Sequence, residues 1–141
     1  MIMAKADIQI GLRNATEALG ALRFRPAEFV QGTVTVIPDS EVKCNHLYIR
    51  LEWHTEGRGT PFRQKVAEVD VYQGTLQANM PRSFEFDFHL PEEPWSYEGH
   101  YISIIWAIVV QLDVPWGRDV KSEEPFLLLP ERGEAPIGDS W

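Results

Sequence analysis

The sequence is poor in the features that mark secreted, membrane-bound or nucleic-acid-binding chains. It has a single cysteine, Cys44, so no intramolecular disulfide can form and an oxidised, stapled scaffold is disfavoured. Positive charge is in deficit: 13 Lys and Arg stand against 21 Asp and Glu, a formal net charge of -8. An acidic surface repels phosphate backbones and has no general attraction to anionic lipid, so neither nucleic acid nor a membrane surface is an expected partner. Long apolar runs are missing too. The longest, 101–112, is diluted by Ser103 and Gln111 and is too short to cross a bilayer as a helix. The opening MIMAKADIQIGL has no basic segment followed by a long apolar stretch, and does not read as a secretory signal. The expectation is a cytoplasmic protein without membrane insertion.

Helical periodicity is equally scarce. The best window, NATEALGAL at 14–22, holds one potential turn before Gly20 interrupts it and Phe24-Arg25-Pro26 ends it. A loop with at most a short turn of helix is expected there.

Strand periodicity, in contrast, recurs along the whole chain. Ile8, Ile10 and Leu12 alternate with Asp7, Gln9 and Gly11, and Val30, Val34 and Val36 share one face of the run 29–37. Leu47, Ile49, Leu51 and Trp53 alternate with Tyr48, Arg50, Glu52 and His54, and Val69 and Val71 mark a strand near 65–72. Phe84, Phe86, Phe88 and Leu90 alternate with Glu85, Asp87 and His89. Ile102, Ile104, Trp106, Ile108, Val110 and Leu112 form one face of a long strand, and 120–129 makes a last strand that Pro125 renders less regular. About seven strands separated by Gly, Pro and Asn signals predict an all-β, immunoglobulin-like antiparallel sandwich. With 141 residues, 44% of them hydrophobic, the chain is long enough to bury a core. The expected division is a sandwich domain over 7–130 and a flexible tail, rich in Pro, Gly and charge, over 131–141. Trp141 in that tail is the kind of residue that docks on an apolar surface.

Three local signals refine the pattern. Val42 and Cys44 lie on even positions and Leu47 to Trp53 on odd ones. Because strand side chains alternate faces, a bulge or break is expected near Asn45-His46. The strand over 101–113 is apolar on both parities, with Ile105, Ala107 and Val109 opposite Ile104, Trp106 and Ile108. A half-buried strand should be polar on its outer face, so either the chain's own loops or a partner covers these three residues. The linker LPEEPWSYEG between the two longest runs is too long for a tight hairpin. Pro91 and Pro94 stiffen it and Gly99 permits an unusual backbone angle. Trp95 and Tyr97 are large amphipathic groups that either cap the end of the sandwich or form an interface.

Catalytic signatures do not emerge. Glu52-x-His54 and Asp87-x-His89 each put an acid and an imidazole on the polar face of a strand. They would approach metal-ligand geometry only if those strands were neighbours, and are otherwise solvent-facing polar positions. Cys44 sits in an apolar context as a small buried hydrophobe, and no serine lies in a nucleophile-elbow motif. Glu92-Glu93 and Glu123-Glu124 are adjacent pairs, and adjacent strand residues face opposite ways. Gly57-Arg58-Gly59-Thr60 is a Gly-rich turn, but Pro61 follows it rather than a helix, so it reads as a hairpin loop and not a phosphate cradle.

Taken together, Phe86-x-Phe88-x-Leu90-Pro91, Pro94-x-Ser96-Tyr97-Glu98-Gly99, Ile104-x-Trp106-x-Ile108 and Leu112-Asp113-Val114-Pro115-Trp116-x-x-Asp119 resemble the arrestin pattern. More narrowly they resemble the bacterial arrestin-like proteins of the sporulation-control group. The likeness extends over 7–129. It implies an arrestin-type sandwich and a non-catalytic adaptor that binds other proteins, with no cofactor and no metal. The family carries two such domains in tandem, whereas this chain has room for one, of the first-domain type, and lacks a basic cluster that would read phosphorylated tails. The expected means of binding is a sheet edge or the apolar face at Ile105, Ala107 and Val109, joined by Trp95 and Tyr97. The same surface would serve a homodimer. The alternative is a small-molecule or glycan-binding module using Trp95, Tyr97 and Trp116, whose rings would stack on sugar faces.

Overall fold

The computed structural model describes residues 6–18, 20–115 and 117–130. All regular elements among them are strands: β1 (Ala6–Leu12), β2 (Thr16–Ala18), β3 (Ala21–Phe24), β4 (Phe29–Pro38), β5 (Val42–Cys44), β6 (His46–Gly57), β7 (Arg63–Asp70), β8 (Gly74–Leu76), β9 (Arg82–His89), β10 (Tyr97–Glu98), β11 (Ile102–Asp113) and β12 (Val120–Leu128). The seven expected strands are β1, β4, β6, β7, β9, β11 and β12. The other five are short, and β2 and β3 form an antiparallel pair where a loop was expected.

Two sheets face each other. One has the order β1-β4-β9 and the other β2-β3-β12-β11-β6-β7, with β10 added on β11 and a separate β5-β8 pair. Pairing is antiparallel except between β12 and β3, which run parallel at Leu127 and Leu128. That short overlap explains how Pro125 is tolerated within β12. It pairs with Ala107 of β11 on one side, and β3 does not reach it on the other, so no ladder bond is lost there.

The alternation read from the sequence decides the core. Ile8, Val30, Val34, Val36, Phe86 and Phe88 from the first sheet meet Leu47, Ile49, Leu51, Trp106, Ile108, Val110, Leu112, Phe126 and Leu128 from the second in one apolar cluster. Removing side chains of this size from water contributes about 1.5–3 kcal/mol each. Phe24 and Phe126 meet edge to face at 5.2 Å.

The expected break at Asn45 is present and has a topological reason. β5 ends at Cys44 on β8, and β6 begins at His46 on β7 and β11. Between them Asn45 N donates to Asp113 O at 2.8 Å. A second irregularity was not expected. The β6–β7 register slips between Leu51 and Glu52, leaving Val66 as the extra residue of a bulge on edge strand β7.

Candidate functional site

The outer face of β11 is covered from within. Ala107 and Val109 are 2% and 1% exposed, and Ile105 is half-buried. Among the described residues, polar side chains of the adjoining strand stand beside them. Glu52 and Arg50 of β6 stand opposite Ala107 and Val109. Glu52, itself buried, accepts from Arg63 at 2.6 Å. Arg50 donates to Glu68 at 2.6 Å and to Gln111 at 2.7 Å. Ala107 and Val109 are therefore not a free apolar face of the folded domain, and Ile105 keeps only part of its surface open. The polar cover came from cross-strand neighbours, which a single strand's alternation does not display.

The acid–imidazole pairs do not meet. Glu52 and His54 lie on β6 in one sheet, and Asp87 and His89 on β9 in the other. His54 pairs with Glu56 at 2.9 Å. His89 stacks on Phe29 at 4.7 Å and its Nε2 donates to Ala27 O at 3.0 Å. Cys44 is buried. Burial, with Asp70 and Asp113 nearby, pushes its thiol up to about 11, far from the range of a reactive thiolate.

Trp95 and Tyr97 do line a common groove, of about 1090 Å³, together with Arg25, Pro26, Glu28, Glu92, Glu93, Pro94, Ile104 and Pro130. One wall is the turn Arg25–Glu28. Pro26 occupies its second position, Ala27 its third with φ 68°, and Glu28 N closes it on Arg25 O at 3.2 Å. Within it, Glu28 accepts from the Arg25 amide at 2.8 Å and from the guanidinium at 2.9 Å. Burial raises the Glu28 carboxyl's pKa, but the Arg25 amide and guanidinium together outweigh it and hold the group below its ordinary value. Backbone bonds fasten the turn to the crossover, from Ala27 N to Pro91 O at 3.3 Å and from Leu90 N to Glu28 O at 2.8 Å.

The other wall is the crossover itself, which carries the chain from β9 in one sheet to β11 in the other. Its Glu93–Pro94 peptide is cis. Trp106, fully buried, donates Nε1 to Pro94 O at 2.8 Å. Buried Ser96 exchanges two bonds with Leu128, each of 2.8 Å. Tyr97 pairs with Ile104 in the β10–β11 ladder. Gly99 does not adopt a left-handed conformation. Its role is close approach, since a Cβ there would lie 2.4 Å from the Tyr97 ring and 2.7 Å from Ile102 O. At the rim, Arg23 donates to Pro130 O and Leu129 N to Phe24 O at 3.1 Å.

Trp95 is 41% exposed, yet its Nε1 already donates to Glu92 O at 3.1 Å. The indole is thus fixed, and what it offers outward is ring surface. Glu92 and Glu93 are exposed, and their carboxylates have no ion-pair partner among the described residues. Among the described residues the lining offers aromatic rings, prolines, three carboxylates and one guanidinium. Sequence reasoning found Trp95, Tyr97 and the prolines of the crossover. It missed Arg25, Pro26, Glu28, Ile104 and Pro130, although Arg25-Pro26-x-Glu28 does carry a turn signal in the proline at its second position. Trp116, Trp141 and the tail 131–141 lie outside the described residues.

No helix among the described residues is long and apolar enough to cross a membrane. No family model and no curated protein matches the sequence. Among solved structures, the chain is similar to the crystal structure of Spo0M, the sporulation control protein from Bacillus subtilis. The TM-score is 0.67 at 20% identity, covering 89% of this chain and 50% of that one. This chain thus spans about half the length of the protein it resembles. The likeness bears out the resemblance read from the sequence at the level of architecture: the chain has the arrestin-like β-sandwich fold that it shares with that sporulation control protein.

Proposed function

We propose that this domain is a non-catalytic protein-binding module that takes up a segment of another protein in the groove between the Arg25–Glu28 turn and the crossover. The observation that carries the reading is the preset indole of Trp95. It is substantially exposed, yet its one donor is already satisfied. It stands beside Tyr97 and three prolines in the groove. Rigid aromatics of this kind bind at low entropic cost, and aromatic-lined grooves are a recurring way of holding extended peptide. A photo-crosslinking amino acid at position 95 should capture discrete protein adducts in the native host, while the same group at exposed Lys121 on β12 should not. Absence of adducts specific to position 95 would sink the reading.

A second reading keeps the same surface. The outward ring of Trp95 also suits stacking on a sugar face. Quenching of tryptophan fluorescence by a saccharide panel, lost in Trp95→Phe, would favour it over a protein partner.

A further inference from the structure

We propose that the segment bound in this groove is cationic, with a lysine or arginine seated over Trp95 between Glu92 and Glu93. This rests on the groove being the binding site and names the chemistry of its occupant.

The argument is charge complementarity on an aromatic platform. Among the described residues the groove holds three carboxylates, Glu28, Glu92 and Glu93, against one guanidinium, Arg25. Arg25 and Glu28 already satisfy one another at 2.9 Å, so that pair is close to neutral toward a ligand. What remains is the charge of Glu92 and Glu93, without an ion-pair partner among the described residues, on the stretch that also presents Trp95. The backbone carbonyl of Glu92 is the group that anchors the indole, so the ring is held against the stretch of chain that carries both carboxylates. A ring whose N–H is satisfied offers its negative π-face, which attracts a cation within about 6 Å of the centroid. Two carboxylates close by supply the charge-assisted hydrogen bonds that a guanidinium or ammonium needs. The chain's net charge of -8 adds long-range steering in the same sense. An acidic or phosphorylated segment would meet repulsion on the same ground. The aromatic rings and prolines that line the groove suit an extended rather than a helical backbone.

The test uses the full chain and three labelled peptides, alternating proline with arginine, with glutamine or with glutamate, followed by fluorescence anisotropy. The arginine peptide should bind at least about tenfold more tightly than the glutamine peptide, and its affinity should fall as salt is raised. Glu92→Lys/Glu93→Lys should weaken the arginine peptide by at least about tenfold and favour the glutamate peptide. Trp95→Ala should weaken the arginine peptide similarly. Glu41→Lys/Glu123→Lys makes the same change in net charge outside the groove and should have little effect. The inference is overturned if the arginine peptide does not bind, if it binds no better than the glutamine peptide, or if both double reversals weaken it equally. Should position 95 still crosslink a host protein in that event, the groove keeps its role and only the charge assignment falls.

Discussion

Trp106 Nε1 and Pro94 O lie 2.8 Å apart, joining the bulkiest fully buried side chain of the core to the wall of the surface groove. The indole fills the space between the sheets, 6.1 Å from the Phe126 ring, and spends its one polar atom on the crossover. Trp106→Phe keeps most of the apolar volume and removes the donor. It should cost about 1–3 kcal/mol, since a part-buried carbonyl loses its partner. Urea titration measures the loss, and a cost near zero would mean that the crossover holds itself without this bond.

Ala27 and Gly32 make an opposed pair of tests. Ala27 sits at φ 68°, where an L-residue with a Cβ is strained by about 1–2 kcal/mol. Ala27→Gly should therefore stabilise the domain by up to about 1 kcal/mol, the remainder being offset by the glycine's larger unfolded-state entropy. Gly32, opposite Phe86 in the β4–β9 ladder, has no such room. A Cβ there would meet Gly11 O at 2.3 Å and the Phe86 ring at 2.6 Å. Gly32→Ala should cost about 1–3 kcal/mol through overpacking. Thermal melts of the two variants should move in opposite directions.

Acid should destabilise the fold. Burial raises the Asp70 carboxyl, but His46 at 2.6 Å, Gln73 at 2.9 Å and the Leu47 amide at 3.2 Å more than reverse this and leave it below its ordinary value. Arg50 first, then Lys65, overcome burial to do the same for Glu68, and Glu28 is held low by Arg25. A carboxyl depressed in the folded state contributes stability above its unfolded value of about 4, and the contribution is lost as pH falls through the folded value. Unfolding free energy should thus be level near neutrality and drop below about pH 4. Asp70→Asn should cost about 1 kcal/mol at neutral pH and show a shallower drop, so the two curves converge on acidification. Parallel curves would remove Asp70 from the account.

A charge placed on the outer face of β11 should unfold the protein instead of merely blocking an interface. Ala107 lies opposite buried Glu52, so Ala107→Glu sets two carboxylates together where water is excluded. The expected cost is about 3 kcal/mol or more. Circular dichroism would check it, and a folded variant with unaltered stability would show that the cover can move aside.

Much of the architecture could be read from residue order because it rests on period-two alternation. Val34 and Phe86, Leu51 and Ile108 announce their faces without knowledge of their neighbours. What depended on pairing was hidden. What would stand beside Ala107 could not be named, because Glu52 reaches it only through the β6–β11 ladder and Arg63 reaches Glu52 only from β7. The groove was half visible for the same reason. Trp95 and Tyr97 stand in the conspicuous linker, while Arg25 and Glu28 reach it only when Leu90 and Pro91 fasten onto their turn. The β2–β3 pair escaped notice because strands this short show no period.

The pairing of β6 with β11 has a consequence for the order in which the chain can fold. The two run together from Gly57↔Ile102 to His46↔Asp113, yet the whole of β7, β8, β9 and the crossover is strung between them. Chain entropy must be surrendered over that loop before the first rung closes, so assembly should be slow beside that of a protein built from local contacts. During synthesis, β6 and β7 emerge with Leu47, Ile49 and Leu51 facing a core that does not yet exist. The facing sheet can cover them once β9 joins β1 and β4, but their own sheet is completed only when β11 leaves the ribosome, and until then the nascent chain is exposed to sticking to its neighbours.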